Sequence, residues 1–489
     1  MGWLASTSAM SWILTIFFCW FIYRYFVKKK LSPLRRMPGP FTWSPLGQML
    51  TLLKNEPAEP FFEWSATYGQ IFCYQSLLNE DRVAILDPKA IKHVLVTNSE
   101  NYQKPAYILR LIKPLFGNGV TSSEGKTHTE QRKVLNPIFK YSKIKALVPM
   151  FQHYGDLLAS LWFEEVKNNV VEIDILKDLT RLTLDITCKG IFDFQCNSLE
   201  DKGNDISESF RTIITGSELS FMSMIPIIRN IPIARNVNFA KSLKRCHDVV
   251  DTVIAKKLQE LNTEEVNTEH KSILDIMLSL RDENLNPCVT QQELHDQIMT
   301  FLFTGHETTS VSMTWTLYAL ASNPDVQEKV RREIRMVLEE HHLITLDVLE
   351  KLPYLENVIK ESLRLFSPAP MTFRVAINDD KIDKYDIPKG TVITIVPPHR
   401  LPDYFPDPLQ FNPDRWEDSN YTDKYSYVPF LAGPRTCIGN KFALAEMKTV
   451  LAILLNKLSF SLVPEVKIIR KMRLTMRPNP DLHLRVTRI

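Results

Sequence analysis

Paired cysteines are missing. Cys19, Cys73, Cys188, Cys196, Cys246, Cys288 and Cys437 are odd in number and form no C-x-x-C couple, so neither a disulfide framework nor a zinc site is suggested, and a reducing compartment fits best. A strong excess of one charge is missing too. The formal net charge is +3 with no recognisable reading module, which argues against a dedicated nucleic-acid binder. Low-complexity tracts and internal repeats are absent, and with 44% hydrophobic and 24% charged residues most of the chain should bury a core. Length alone, 489 residues, leaves open one large domain or two or three ordinary ones.

Charged side chains are absent altogether from Met1 to Tyr23. That apolar run is long enough to cross a bilayer as a helix of about 20 residues, and Trp3 and Trp20 sit where interfacial aromatics belong. A cleaved signal peptide would carry basic residues ahead of the run; here Arg24, Lys28, Lys29, Lys30, Arg35 and Arg36 come after it. The expectation is an uncleaved transmembrane anchor over 1–27, a basic, proline-rich hinge over 28–45 with Met37-Pro38-Gly39-Pro40, and a body over 46–489 kept cytosolic by the positive charge.

Past the anchor, helical signals dominate. Thr290 and Glu293 form a capping box that opens about thirty proline-free residues, a very long helix for a globular protein. A second helix restarts at Asn323-Pro324, and "LPYLENVIKESLRLF" reads as a third. "KGTVITIVP" (Lys389 to Pro397) and "LHLRVTR" (Leu482 to Arg488) read as extended, and the polar stretch Leu261 to Ser272 as a surface connection.

One of the seven cysteines has telling neighbours. Cys437 comes two residues after Arg435, lies between Gly433 and Gly439, and precedes an amphipathic run from Asn440 that begins a helix. A cation and a helix N-terminus both favour the thiolate, a strong donor to iron. A lone cysteine is as readily a buried and inert one. The flanking residues decide: Phe430-Leu431-Ala432-Gly433-Pro434-Arg435-Thr436-Cys437-Ile438-Gly439 resembles, at every fixed position, the F-x-x-G-x-R-x-C-x-G signature of the cytochrome P-450 haem-thiolate monooxygenases. The resemblance implies haem b as cofactor, Cys437 as axial ligand of its iron, Phe430 and Gly439 in the haem-binding loop, and Arg435 on a propionate.

Further motifs stand in family order. Thr304-Gly305-His306-Glu307-Thr308-Thr309 resembles the oxygen-activating stretch, with Thr308 implied to hydrogen-bond dioxygen and Glu307 to relay protons. A mid-helix threonine can back-bond to the carbonyl four residues earlier, and glycine tolerates the distortion. Thr304 departs from the usual alanine or glycine, and would narrow the pocket or add a donor. His306 occupies a variable position and is not read as a metal ligand. Glu361 and Arg364, one helical turn apart, with Arg415 in Phe411 to Trp416, are similar to the family's buried charge triad. "GKTHTEQRKVLNPIF" is similar to the W-x-x-x-R helix, with His128 in place of tryptophan, as fungal members often have, and Arg132 retained; both are implied to meet propionates, as is Arg374. Lys133, Lys140, Lys143 and Lys145 would steer an acidic electron donor.

The resemblance therefore implies a mainly α fold with a minor β portion, one large domain behind an anchor in the endoplasmic reticulum membrane. It implies insertion of one oxygen atom of O2 into a lipophilic substrate such as a steroid, fatty acid, terpenoid or foreign aromatic. Electrons would come from NADPH through a flavoprotein reductase, with cytochrome b5 as a second donor, and membrane lipid is the other partner. Pocket walls are expected from Tyr102 to Val120, the stretch Glu218 to Ile233, Phe301 with Thr304, Ala369 to Thr372, and the turn at Met476. Two rivals share the iron ligand: an oxygen-independent isomerase or dehydratase, and a non-catalytic haem-binding membrane protein.

Overall fold

In the computed structural model the described residues are 32–489 apart from 43, 168, 202, 217–230, 264–271, 280–287, 342 and 418–422, together with 12, 15, 16, 18–21 and 23. Most of the anchor, the first part of the hinge and most of the expected wall from Glu218 lie outside them. Among the described residues no helix is long and apolar enough to cross a membrane. Two compact units form, 1–105 with 371–398 and 106–370 with 399–489.

The smaller unit is built on a five-stranded sheet with strand order 71–75, 81–85, 392–395, 372–376, 102–103. Strands 81–85 and 392–395 run parallel, and the other neighbours are antiparallel. Val392–Ile395 is the extended segment expected from its β-branched residues, and all four are buried. Met37 to Pro40 lies along the sheet edge, where the Cys73 amide donates to Pro38 O at 2.8 Å. A side chain at Gly39 would collide with the Cys73 carbonyl, so glycine permits that approach.

In the larger unit the helices that bear on the site are α1 (Gly125–Leu135), α2 (Tyr141–Val166), α3 (Ile175–Phe192), α4 (Gln291–Ser322), α5 (Pro324–Glu340), α6 (Pro353–Leu365) and α7 (Asn440–Lys457). The capping box forms as its sequence suggests: Thr290 Oγ1 accepts from Glu293 N at 3.2 Å and Glu293 Oε2 accepts from Thr290 N at 2.9 Å. Asn323 ends α4, and Pro324 opens α5 where its missing N–H costs nothing. Helix α4 packs on α3 and α7 on α2. Both contacts are close because glycines allow it: a Cβ on Gly305 would sit 3.1 Å from Thr187 Oγ1, and one on Gly155 would sit 2.8 Å from Ile453 Cδ1. Phe151 and Phe442 meet edge to face at 5.0 Å between α2 and α7. Helix α7 covers the expected run, yet it is buried around most of its circumference, Glu446 and Lys448 included, so it is a core helix and not an amphipathic one. The C-terminal strand His483–Arg488 lies between 171–174 and 458–462, and a separate hairpin pairs 469–472 with 476–479.

Candidate active site

The cysteine loop is a turned-back segment ahead of α7. Cys437 N donates to Phe430 O at 2.9 Å and Thr436 N to Gly433 O at 3.0 Å. Gly433, at φ +68°, supplies the left-handed residue the reversal needs. Phe430 packs half-buried on the main core cluster and fixes the loop's near end. The Cys437 side chain is surface-accessible, yet burial pushes its thiol above the ordinary value, while the Gly439 amide, which donates to the sulfur, and the Arg132 charge act the other way. Accessibility together with a crowded surround is what the wall of a deep hollow has.

Gly439 gives a sharper test of fit. Its φ of −88° suits any residue, and a Cβ built there would meet no protein atom within 4 Å. Neither backbone nor packing calls for glycine, but a flat prosthetic group lying against the loop would. The donor set agrees: a sulfur that accepts an amide hydrogen bond beside an arginine is suited to a thiolate ligand.

Arg132 and His128 sit on α1 at a spacing of four, so they share a face, with His128 buried. Arg132 Nη1 donates to Thr436 O at 2.8 Å and ties α1 to the loop. Arg435 Nη1 donates to Ser123 O at 2.8 Å, and its Nη2 pairs with Glu124. Glu124 went unnoticed in the sequence because it belongs to no motif. Arg374 lies in the other unit, buried, and donates to Thr372 Oγ1 at 3.1 Å and Phe373 O at 2.8 Å.

Helix α4 is buried without interruption from Asp296 to Leu317 except at Thr304, Gly305 and Thr308. Thr304 and Thr308, at i and i+4, make a window on one face, while Gly305 faces Thr187 of α3. Thr308 Oγ1 donates to Thr304 O at 2.8 Å, and Thr304 Oγ1 to Thr300 O at 2.7 Å. The additional hydroxyl of Thr304 is thus spent on its own helix. His306 points the other way: buried, its Nδ1 on Leu302 O and its ring edge-on to Phe210 at 4.7 Å, with burial holding it neutral. Glu307 is also buried, and its carboxylate is bonded by Thr475 and Arg477 of the C-terminal hairpin. The structure therefore separates Thr308, at the window, from Glu307, inside.

Glu361, Arg364 and Arg415 come together in direct hydrogen-bond contact. Glu361 Oε1 accepts from Arg364 Nη2, Arg415 Nε and Asn412 N, each at 2.9 Å; Oε2 accepts from Arg364 Nε at 2.9 Å and Trp416 Nε1 at 3.0 Å. The remaining Arg364 donors reach His399 O at 2.6 Å, Pro408 O at 2.7 Å and Gln410 O at 3.1 Å, so all five are used. His399 carries the cluster to the cysteine loop, because its Nε2 accepts from Val428 N at 3.1 Å, two residues before Phe430. No sequence pattern marked it. Burial, with Arg364's charge added, pushes His399 down to about 3, so it is neutral with its proton on Nδ1.

A helical body with a cysteine loop open beside a glycine, a hydroxyl window in a long helix and a buried Glu-Arg-Arg cluster defines a haem-thiolate protein. A model of the cytochrome P450 family matches residues 37–485, and the chain belongs to that family. Cytochrome P450 monooxygenase 205 of Postia placenta is 31% identical over 494 residues, spanning 91% of this chain and 90% of that protein. Cytochrome P450 4V2 of Mus musculus is 31% identical over 455 residues, spanning 88% and 85%. Among solved structures the retinoic-acid-bound cyanobacterial CYP120A1 superposes with a TM-score of 0.78 over 93% of this chain and 99% of that one, and at 24% identity it shares the fold. The protein is an oxidoreductase, a haem-thiolate monooxygenase, and its cofactor is haem.

Proposed function

We propose that the protein inserts one oxygen atom into a lipophilic substrate while anchored to the endoplasmic reticulum membrane, with 46–489 as one catalytic body on the cytosolic face and a flavoprotein reductase, aided by cytochrome b5, as electron donor. The observation that carries the reading is the pairing of Cys437 with the unfilled space at Gly439. Cys437 would hold the iron, and Arg132, His128 and Arg435 would take the propionates. Bound haem with a thiolate ligand supplies the oxygen chemistry. Thr308 would hold and orient the proton supply at the window, and the Glu361-Arg364-Arg415 cluster would keep the loop in place through His399. The apolar walls expected around Phe301 and Met476 are buried, so desolvation would drive substrate binding.

Replacing Cys437 by alanine tests this: reduced protein with carbon monoxide should lose the thiolate-type absorbance that the parent shows. An unchanged spectrum with retained oxidation would sink the reading. A requirement for both NADPH and O2 separates the monooxygenase from an isomerase or dehydratase. The orientation predicts that the sequon Asn420-Tyr421-Thr422, outside the described residues, stays unglycosylated in cells.

A further inference from the structure

Both carboxylate oxygens of Glu307 are taken by one edge of the hairpin. Oε1 accepts from Thr475 Oγ1 at 2.5 Å and Arg477 Nε at 2.8 Å, and Oε2 accepts from Arg477 Nη2. All three residues are buried. Met476, between the two donors, is fastened through its backbone: its N–H reaches Pro368 O at 2.9 Å, and its carbonyl accepts from Trp315 Nε1 at 2.8 Å. Trp315 lies eight residues beyond Glu307, on the same side of α4. Three consecutive hairpin residues are therefore sewn to the helix that carries Thr308, one residue past the acid.

Burial alone would push the Glu307 carboxyl up; the Arg477 charge and its hydrogen bonds, helped by Thr475, more than offset this and hold it below the ordinary range. The titratable groups bearing on it are Arg477 from the hairpin and His306 from its own helix. On α3, Arg181 pairs with Asp178, and Asp185 accepts from the Ser198 and Leu199 amides. A carboxylate held in this way has no proton to give.

Building on the haem-thiolate reading, we propose that Arg477 and Thr475 are positioning residues for the reaction: they hold Glu307 fastened to the hairpin, so that it joins the proton supply at Thr308 only when the hairpin segment 475–477 shifts on the helix. Met476 is one of the residues expected to wall the pocket, and a substrate that presses on it would loosen the clasp. Proton delivery is thereby tied to pocket occupancy.

The test uses Arg477→Met, Thr475→Val and the double variant Arg477→Met/Glu307→Gln in the full-length haem-loaded protein. Losing the cation raises the pKa of a buried acid, so Arg477→Met should show the infrared carbonyl stretch of a protonated carboxylic acid that the parent lacks, and the double variant should lose that band. The pH profile of product per NADPH should move to the alkaline side, with product per NADPH changed by about threefold or more near neutral pH. Thr475→Val should move it in the same direction by less. Thr475→Val leaves the ion pair in place, so it decides on the same pH profile if Arg477→Met does not retain haem. Variants that keep the thiolate-type spectrum yet show no new band and the parent's profile overturn the proposal; a parent without that spectrum overturns instead the reading on which it rests.

Discussion

Gly439 is the residue at which protein and cofactor requirements come apart most cleanly. It is the N-cap of α7, has an ordinary φ, and faces space that no protein atom fills. Serine is a better cap than glycine, by a few tenths of a kcal/mol. Gly439→Ser should therefore leave apoprotein stability within about 0.5 kcal/mol of the parent while lowering haem retained on purification, read as the ratio of haem to protein absorbance. Equal haem retention would show that the space is not where the group lies. His399 yields a prediction of the opposite kind, about the protein alone. Unfolded, its imidazole takes up a proton near its ordinary value of about 6.5, but folded it does not until about 3. Between those two values the unfolded chain holds more protons, so stability falls as pH falls, by up to about 1.4 kcal/mol per pH unit. His399→Gln should flatten that acid limb in denaturant titrations and, if the amide oxygen accepts from Val428 N, keep most of the neutral-pH stability. The two residues differ in how they could be found. Gly439 stands in a dense local motif, whereas His399 acts through a backbone carbonyl and a bond 29 residues away, and neither leaves a periodic trace in the sequence.

At the scale of elements, the same division explains what could be read. Helix α4 was legible because a capping box starts it, proline is absent from it, and Asn323-Pro324 ends it; the accessible window at Thr304 and Thr308 falls inside a motif of consecutive residues. The clasp of Glu307 was not legible, since its partners lie 168 and 170 residues further on in a short hairpin whose sequence, "RLTMRPN", carries no chemical signature. Glu307 was expected as a relay for protons, and its buried ion pair makes it first a tether between two elements. Helix α6 shows the energetic side. Arg364 serves Glu361 and three carbonyls with five donors, a geometry that planar guanidinium provides and an ammonium does not. Arg364→Ala should cost about 3 to 5 kcal/mol by leaving a buried carboxylate under-served, against a total of about 5 to 15 for a folded protein. The measurable outcome is protein recovered without haem, or not at all, with Arg364→Lys restoring part of the loss.

For the whole molecule, the useful quantity is the distribution of charge and not its sum. A net charge of +3 steers nothing over distance, yet Lys133, Lys140, Lys143 and Lys145 are all exposed on α1, α2 and the turn between them, and α1 is the helix whose Arg132 bonds the cysteine loop. Among the described residues Lys145 is the one of them paired across the surface, with Asp347 at 2.6 Å, and an exposed pair of this kind contributes little to stability. Local positive potential beside the proposed thiolate would raise the encounter rate with an acidic flavoprotein, and it would fade over a screening length of about 8 Å at physiological salt. Lys140→Glu/Lys143→Glu should accordingly raise the KM for the reductase several-fold at low ionic strength and flatten its dependence on salt. The spin-state titration with substrate should not move, because neither side chain belongs to the expected pocket. If KM and its salt slope stay as in the parent, electrons enter by another face, and the lysines are a solvated surface with no part in the reaction.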